Sequence, residues 1–182
     1  KYKELSPAKA AECVKQNPKS VEAFIMRSRL FALKGEFEPA FADANKSIEL
    51  SPQSSDAFYA RGFVYEKKYR SNYDKSLQPL AMADYEKALK LNPKNGLALL
   101  EKTALTKYGM GSGFIRLLPD FNLAIEYLTA SGSTWHLARA YCERGSANGL
   151  ADRYDNAISD YTEALKVRPD YMSALIFRGV AH

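Results

Sequence analysis

Cysteine and histidine are scarce in this sequence, which argues against metal-centred and disulfide-stabilised folds. The two cysteines, Cys13 and Cys142, lie 129 residues apart and form no CxxC or CxxH pattern, so neither a zinc site nor a disulfide framework is indicated. We expect both thiols to be ordinary packing residues. The two histidines, His136 and His182, stand in no metal-ligand or catalytic pattern. The sequence therefore predicts no metal and no cofactor.

Long apolar runs and nucleotide-binding loops are also missing. No apolar stretch approaches the roughly 20 residues that a membrane-spanning helix needs, and no charged-then-apolar leader opens the chain. The glycine-rich stretch GMGSG at 109–113 lacks the GK[ST] ending of a phosphate loop, so we expect a flexible connector. We expect a soluble protein that is not an enzyme. The sequence leaves its compartment unknown, and cytoplasm and periplasm both stay open.

Charge of either sign forms no block, although hydrophobic residues are plentiful. The 26 Lys and Arg residues and the 21 Asp and Glu residues are interspersed, and they leave a net charge of +5. This excess gives only slight support for an anionic partner. With 46% hydrophobic residues the chain can build a core.

A repeated segment runs through the whole chain. Its ends are separated by 34, 41, 36 and 40 residues, at Pro18, Pro52, Pro93, Thr129 and Pro169. Within each segment apolar residues recur at three- and four-residue spacing, which indicates helices, and no alternating strand pattern competes with it. Pro39 and Pro79 stand near the start of a second helix in their segments. The sequence therefore predicts helical hairpins.

Small and aromatic residues mark equivalent positions in these segments. In the second segment the marked residues are Phe58, Gly62, Tyr65, Ala81, Tyr85, Ala88 and Pro93. The first segment gives Phe24, Ser28, Phe31, Gly35, Phe37, Ala40, Ser47 and Pro52. The fourth gives Ala138, Tyr141, Gly145, Tyr154, Ala157, Tyr161, Ala164 and Pro169. This pattern and its shortest period resemble the tetratricopeptide repeat (TPR) family over essentially the whole chain.

The resemblance implies an all-α fold, an α-α superhelix (solenoid) of tetratricopeptide-type helical hairpins, with about nine helices and no sheet. We expect a single array over 1–182. Its parts are a trailing helix at 1–20, repeat 1 at 21–54, repeat 2 with an insertion at 55–95, divergent repeat 3 at 96–131, repeat 4 with an insertion at 132–171, and the first helix of a fifth repeat at 172–182. Because the chain begins and ends inside repeats and lacks an initiator Met, we expect a fragment of a longer protein.

Some positions depart from the family pattern. The third repeat has Thr103 where a small residue is expected. In the fourth repeat, Trp135 aligns with Phe58 only if Arg139 takes the small-residue site, and a shift by one residue places Ala138 there instead. We prefer that shift, which turns Trp135 toward the groove. Insertions of about seven residues are expected between the helices of repeats 2 and 4, around 68–76 and 146–153.

Aspartates and basic residues recur at matching sites of the two helices of a hairpin. The acidic row is Asp43, Asp84, Asp120 and Asp160, and the basic row is Arg27, Arg61, Lys102 and Arg178. A catalytic or metal-binding row is one interpretation, but the matching rows favour ion pairs between helices. We therefore predict that Asp43, Asp84 and Asp160 lie near Arg27, Arg61 and Arg178.

The family resemblance also implies a concave groove that is lined by first helices and holds a peptide or a helix of a partner. By alignment, its lining here would be Ile25, Arg29, Tyr59, Phe63, Leu100, Lys107, Trp135, Arg139 and Ile176. We expect Tyr59, Phe63, Leu100 and Trp135 to be partly exposed on one concave surface. Replacing Tyr59 and Phe63 with Ala is expected to weaken binding while leaving helicity intact.

The chemistry of this lining narrows the class of partner. It is mainly apolar and aromatic with scattered Arg and Lys, which suits an amphipathic segment of a protein. Family members that clamp chaperone carboxylates use a Lys and an Asn one turn apart on a first helix. Those positions carry Ile25 with Arg29 and Tyr59 with Phe63, so we expect no such clamp.

The sequence therefore predicts a protein–protein interaction scaffold. One alternative is nucleic-acid binding, suggested by the interleaved basic and aromatic run Lys67, Lys68, Tyr69, Arg70, Tyr73 and Lys75. A regulatory or assembly segment of a larger enzyme, a self-associating subunit, and a groove covered by an adjoining helix of the same protein stay open as well. The partner itself is not identified by these residues.

Overall fold

The fold consists of helices alone in the part of the chain that is described. The computed structural model describes residues 7–109 and 112–181, and there it contains ten α-helices, one 3-10 helix and no strand. His182 and residues 110–111 of the GMGSG connector lie outside the described residues. The predicted all-α class is confirmed. Ten α-helices in the described residues are one more than the roughly nine that were expected. The four hairpins contribute eight helices, and each end of the chain contributes one more.

The helices form antiparallel pairs joined by short turns. Their bounds are α1 Pro7–Gln16, α2 Val21–Lys34, α3 Phe37–Leu50, α4 Ser55–Asn72, α5 Leu77–Leu91, α6 Gly96–Gly109, α7 Leu118–Ser131, α8 Thr134–Gly149, α9 Tyr154–Val167 and α10 Met172–Ala181. The 3-10 helix, Phe114–Leu117, precedes α7. The hairpins are α2 with α3, α4 with α5, α6 with α7, and α8 with α9.

The chain divides into two compact units, residues 1–93 and 94–182. Unit 1 contains α1 to α5, and unit 2 contains α6 to α10. The division falls near the expected boundary between repeats 2 and 3. The single array expected over residues 1–182 stays a prediction.

Local sequence explains where the helices begin and end. The side-chain oxygens of Ser20, Ser54 and Asn95 accept hydrogen bonds from the backbone N–H three residues later, at 3.1, 3.2 and 3.1 Å. These caps satisfy donors that a helix start leaves without partners, and they fix the starts of α2, α4 and α6. Gly35 ends α2 and Gly132 ends α7, both with positive φ.

Close approach of two helices is centred on a glycine and a tyrosine in one hairpin of each unit. A Cβ placed on Gly62 would lie 2.8 Å from Cε1 of Tyr85, which is fully buried. A Cβ on Gly145 would lie 2.8 Å from Cε1 of Tyr161. Glycine is therefore required for α4 to pack on α5 and for α8 to pack on α9 at these distances.

This contact corrects the alignment of the fourth repeat. Gly145, and not Ala138, occupies the small-residue site, seven residues later than expected. The alignment was wrong because α8 begins eleven residues before Gly145, whereas α4 begins seven residues before Gly62. The extra turn at the start of α8 displaced the motif.

The same contact relocates one insertion. Fifteen residues separate Gly145 from Asp160, as they separate Ser28 from Asp43, so no extra residues stand between the helices of the fourth repeat. The expected insertion around 146–153 is wrong, because residues up to Gly149 belong to α8. In the second repeat the extra residues lengthen α4 to Asn72 and form the turn before Leu77.

An arginine–aspartate pair closes each of three hairpins. The closest N–O distances are 2.6 Å for Arg27 with Asp43 and 2.8 Å for Arg61 with Asp84, so these two predicted pairs are confirmed. Asp160 pairs with Arg144 at 2.5 Å, and the prediction of Arg178 was wrong because Arg144 precedes Gly145 as Arg61 precedes Gly62.

The same guanidinium groups reach a third helix. Arg61 Nη1 donates to Asn45 Oδ1 of α3 at 3.2 Å, and Arg144 Nη1 donates to Asn122 Oδ1 of α7 at 2.6 Å. Hydrogen bonds to Asp84 raise the pKa of Arg61, since they favour its charged form.

Candidate partner-binding surface

In unit 1 the expected groove residues lie on α2 and α4. Ile25 and Arg29 are half-buried, but Tyr59 and Phe63 are only 1% and 5% exposed. The expectation that these two rings are partly exposed was therefore wrong. The Arg29 guanidinium lies over both rings, 5.3 Å from the Tyr59 centroid and 5.4 Å from the Phe63 centroid, and Lys67 Nζ lies 4.7 Å from the Phe63 centroid. The rings lie beneath cationic side chains, which favours burial of their faces.

A buried carboxylate supports the same region of unit 1. Glu66 is fully buried, and it accepts hydrogen bonds from the Tyr85 hydroxyl at 2.7 Å and from Arg70 Nε at 2.8 Å. A buried charge of this kind is tolerated because it is paired and hydrogen-bonded. The Tyr85 ring thus packs on Gly62 while its hydroxyl fixes Glu66.

In unit 2 three of the expected groove residues are buried. Leu100 is fully buried, Lys107 is 5% exposed and Arg139 is 9% exposed. Leu100 was expected to be partly exposed, and that expectation was wrong. It occupies the site in α6 that Tyr59 occupies in α4, three residues before the small-residue site.

The two cations take part in an ionic network between α6 and α8. Arg139 donates to both carboxylate oxygens of Glu101, and the bond from Nη2 to Oε2 is 2.7 Å long. Lys107 Nζ donates to Glu143 Oε2 at 2.6 Å and to Ser146 Oγ at 3.0 Å. Sequence reasoning missed Glu101 and Glu143, although the four-residue spacing of Arg139 and Glu143 on one helix was visible.

Two predicted residues of unit 2 are exposed. Trp135 is 43% exposed near the start of α8, and Ile176 is 55% exposed on α10. The Arg139 guanidinium lies 6.0 Å from the Trp135 ring, and the His136 ring meets it edge-on at 4.9 Å. Trp135 precedes Cys142 by seven residues, close to two helical turns, so both lie on one face of α8.

The predicted set is divided between the two units. Tyr59 and Phe63 belong to unit 1, whereas Leu100 and Trp135 belong to unit 2. One concave surface formed by all four stays a prediction.

One thiol and two tyrosine hydroxyls of unit 2 have raised pKa values, so they stay protonated to higher pH than usual. Burial raises the pKa of the Cys142 thiol to about 12, and the nearby Glu143 carboxylate acts in the same direction. Burial likewise raises the pKa of Tyr161 to about 12 and that of Tyr171 to about 12. Cys142 is therefore a neutral packing residue at physiological pH, and not a nucleophile.

Two other kinds of site are absent from the described residues. Over 7–109 and 112–181, no group of three or more His, Cys, Asp or Glu side chains is placed to hold a metal ion. None of the helices described there has the length and apolar character needed to span a membrane.

Comparison with known proteins agrees with this architecture. A family model described as tetratricopeptide repeat matches residues 80–95 and 138–171. Human DnaJ homolog subfamily C member 7 is 28% identical over 162 residues, which cover 85% of this chain and 31% of that protein. Hsp70-Hsp90 organizing protein 3 of Arabidopsis thaliana is 32% identical over 85 residues, 47% of this chain and 14% of that protein. The chain thus spans less than a third of the length of these curated relatives.

Solved structures show the same fold at low sequence identity. A thermophilic TPR protein of Thermus thermophilus superimposes with a TM-score of 0.76 and 17% identity, covering 96% of this chain and 88% of that one. PilF of Pseudomonas aeruginosa gives a TM-score of 0.72 at 17% identity, covering 88% of this chain and 67% of that one. Together with the repeat motif and the hairpin contacts, these matches support the resemblance to the tetratricopeptide repeat family and show that the chain has the tetratricopeptide repeat fold.

Proposed function

We propose that this chain binds a peptide or an amphipathic helix of a partner protein on the surface of its first helices. The tetratricopeptide repeat fold implies the coarser function, an interaction scaffold, and proteins with this fold are typically not enzymes. The observation that supports the finer part is the exposure of two apolar side chains on first helices of unit 2, Trp135 and Ile176. Tryptophan is enriched among the residues that dominate binding energies at interfaces.

The charge around these side chains favours an apolar contact. Lys107 and Arg139 are paired with Glu143 and Glu101, so their charges are neutralised within unit 2. A partner would therefore gain little from carboxylates there and more from burying leucine or aromatic side chains against Trp135. An amphipathic helix supplies such side chains along one face.

The names of the relatives suggest chaperone partners. The first helices of unit 1, however, give little support for binding to a chaperone. The positions that would carry the Lys and Asn of a carboxylate clamp hold Ile25 with Arg29 and Tyr59 with Phe63. Tyr59 and Phe63 are also buried. We therefore do not extend the partners of those co-chaperones to this chain.

Nucleic-acid binding is not favoured by the contacts of the basic run. Lys67 lies over the Phe63 ring, Lys68 pairs with Glu38 at 3.4 Å, and Arg70 pairs with the buried Glu66 at 2.8 Å. These cations already have intramolecular partners, which reduces their value for phosphate contacts. No contact in the described part of the chain specifically favours a regulatory segment of an enzyme.

Trp135 provides the test, because it is the sole tryptophan of the chain. Peptides selected on the full chain from a phage-displayed library of amphipathic helices should shift the indole emission to shorter wavelength as they bury the ring. Trp135→Ala removes this fluorophore, so its affinity is measured by isothermal titration calorimetry, and the selected peptides should bind it more weakly by roughly 1 kcal/mol or more. Leu150→Ala is the matched control, since Leu150 is also exposed (54%) but follows the opposite end of α8.

Selected peptides that bind Trp135→Ala as tightly as the unchanged chain would exclude this surface. Tyr59→Ala and Phe63→Ala are unsuitable probes, contrary to the expectation from sequence. Because both rings are buried, each truncation is expected to cost about 3–5 kcal/mol of stability, which would obscure an effect on binding.

A further inference from the structure

A polar cleft of about 370 Å³ lies in unit 2, away from the first-helix surface proposed above. Residues of α7, α8 and α9 line it, and Leu118 is its one apolar side chain. The partner-binding surface proposed above lies on first helices, whereas α7 and α9 are second helices. This cleft is therefore independent of the proposed function. Most of its walls are formed by asparagine, arginine and serine side chains.

The equivalent place in unit 1 holds two packed aromatic rings. The Arg61–Asp84 and Gly62–Tyr85 contacts of unit 1 match the Arg144–Asp160 and Gly145–Tyr161 contacts of unit 2. These contacts align α4 with α8 and α5 with α9. In unit 1 the Tyr65 ring packs on the Phe41 ring, with centroids 4.7 Å apart.

Unit 2 has polar side chains at four aligned positions, one of which replaces the packed Tyr65 ring. Asn148 stands where unit 1 has Tyr65, Arg153 where it has Leu77, Asn156 where it has Leu80, and Ser159 where it has Ala83. Loss of one ring would leave a cavity, but replacement at four neighbouring positions gives a cleft with its own chemistry. Polar side chains that converge on one cleft can fix the orientation of a bound ligand.

One polar atom of the cleft lining lacks a partner. Asn148 is 5% exposed, and its Nδ2 donates to Asp160 Oδ2 at 2.9 Å. That bond fixes the orientation of the amide, because a flipped amide would set its oxygen against the carboxylate. The buried Oδ1 then has no donor among the described residues. A ligand that donates a hydrogen bond would satisfy it.

Three exposed side chains of the lining are also available. Arg153, at the N-cap of α9, is followed at three-residue spacing by Asn156 and Ser159, and none of the three makes a side-chain hydrogen bond or ion pair within the described part of the chain. Arg144 and Asp160 neutralise each other, so Arg153 leaves the cleft with one net positive charge. A guanidinium with free N–H groups is suited to a carboxylate, which it can hold through two parallel bonds.

We propose that this cleft binds an acidic segment of a polypeptide in an extended conformation. A side-chain carboxylate of the segment pairs with Arg153, and Asn156 and Ser159 add hydrogen bonds. A main-chain N–H of the segment donates to Asn148 Oδ1. The near absence of apolar lining means that the segment needs no hydrophobic anchor, unlike the partner of the first-helix surface.

The test uses the full chain and a blocked peptide in which Glu alternates with Gly, together with its Gln-for-Glu analogue. Binding is followed by NMR shifts of the side-chain amides of Asn148 and Asn156. Arg153→Glu should weaken the Glu peptide at least tenfold, and Asn148→Tyr, which restores the filling of unit 1, should do the same. Lys166→Glu is the control with the same change of charge on α9, and it should stay within twofold, because Lys166 lies outside the cleft.

Equal binding of the Glu and Gln peptides, or unchanged binding to Arg153→Glu, would overturn the proposal. Tighter binding of a single-stranded RNA oligonucleotide with the same loss in Arg153→Glu would also overturn it, and would assign the cleft to phosphate. If Asn148→Tyr does not fold by circular dichroism, Asn156→Leu, which introduces the counterpart Leu80, replaces it. The Glu peptide should leave the Trp135 emission unchanged, so failure here is distinguishable from failure of the first-helix surface.

Discussion

Unit 1 and unit 2 share the contacts that close a hairpin but differ in what surrounds those contacts. Both use an arginine–aspartate pair and a tyrosine packed on a glycine. Beside them, unit 1 stacks Tyr65 on Phe41, whereas unit 2 has the polar cleft around Asn148. The shared contacts are sufficient for the hairpin, and the neighbouring positions are free to acquire other chemistry.

The contacts between successive first helices differ in the same way. In unit 1 the Arg29 guanidinium lies over the rings of Tyr59 and Phe63. In unit 2 the link between α6 and α8 is ionic, from Glu101 to Arg139 and from Lys107 to Glu143. Stacking of hairpins is therefore achieved by cation–aromatic contacts in one unit and by buried ion pairs in the other. The following predictions test how far this difference extends.

The largest effect is expected at alkaline pH and in unit 2. Cys142, Tyr161 and Tyr171 have pKa values raised to about 12 in the folded chain, from ordinary values of 9.0, 10.0 and 10.0. Above those ordinary values the unfolded chain loses protons that the folded chain keeps. The free energy of unfolding should then fall as pH rises toward about 12, by about 1.4 kcal/mol per pH unit for each group.

Urea unfolding followed through the Trp135 emission measures this effect, because Trp135 belongs to unit 2. The double variant Tyr161→Phe with Tyr171→Phe should flatten the dependence on pH. If the free energy of unfolding near pH 12 equals that at neutral pH, the burial of these groups is contradicted.

The next effect concerns the ionic link of unit 2. Arg139→Met leaves the buried Glu101 carboxylate without this guanidinium, which should lower the free energy of unfolding by about 3–5 kcal/mol. The counterpart in unit 1 is Arg29→Met, which removes the cation–aromatic contacts between α2 and α4 and should cost about 1–2 kcal/mol. Urea denaturation gives both values. If Arg139→Met costs no more than Arg29→Met, the two links do not differ as described.

A smaller difference is expected for the two tyrosines that pack on glycine. Tyr85→Phe removes the hydroxyl that donates to buried Glu66, and the loss of stability should be about 1–3 kcal/mol. Tyr161 makes no hydrogen bond through its hydroxyl within the described residues, so Tyr161→Phe should be close to neutral. Thermal unfolding of the two variants compares them directly. Equal losses would show that the hydroxyl of Tyr85 contributes nothing.

The smallest effect concerns the glycines themselves. Gly62→Ala and Gly145→Ala should each lower the free energy of unfolding by about 1–2 kcal/mol, because the new methyl group would overlap a tyrosine ring. Gly179 on α10 has no atom within 4 Å of the position its Cβ would take, so Gly179→Ala should stabilise its helix by up to about 1 kcal/mol. Urea unfolding tests the sign, and a loss at Gly179 would contradict the open space there.

The fold was predictable because the hairpin depends on a short local pattern. The period, the prolines and the rows of Asp and Arg predicted the helices and two of the ion pairs, since each lies at a fixed spacing within a hairpin. The fourth repeat was misaligned because an additional turn at the start of α8 is invisible in a motif read by spacing alone. The small-residue site lies seven residues later than expected, which is close to two helical turns. Trp135 and Arg139 therefore lie on the face of α8 that the alignment gave them.

The burial of the candidate site was less predictable. Family alignment indicates which side of a helix faces the groove, but it does not reveal what covers that side. Tyr59 and Phe63 are covered by the side chains of Arg29 and Lys67, and Arg139 is held by Glu101 from another helix. The contacts of Arg29 and Arg139 join residues that are distant in sequence. The polar cleft escaped prediction for the same reason, because it becomes visible only when the two hairpins are aligned through their contacts.

The arginines that join three helices have a consequence for how each unit folds. Arg61 pairs with Asp84 in its own hairpin and also bonds Asn45 of the preceding one, and Arg144 does the same with Asp160 and Asn122. In a one-dimensional description of repeat proteins, intrinsic and nearest-neighbour energies are separate quantities. Here a single side chain contributes to both. Hairpins within a unit should therefore unfold together and not one at a time, because opening either one releases the same guanidinium.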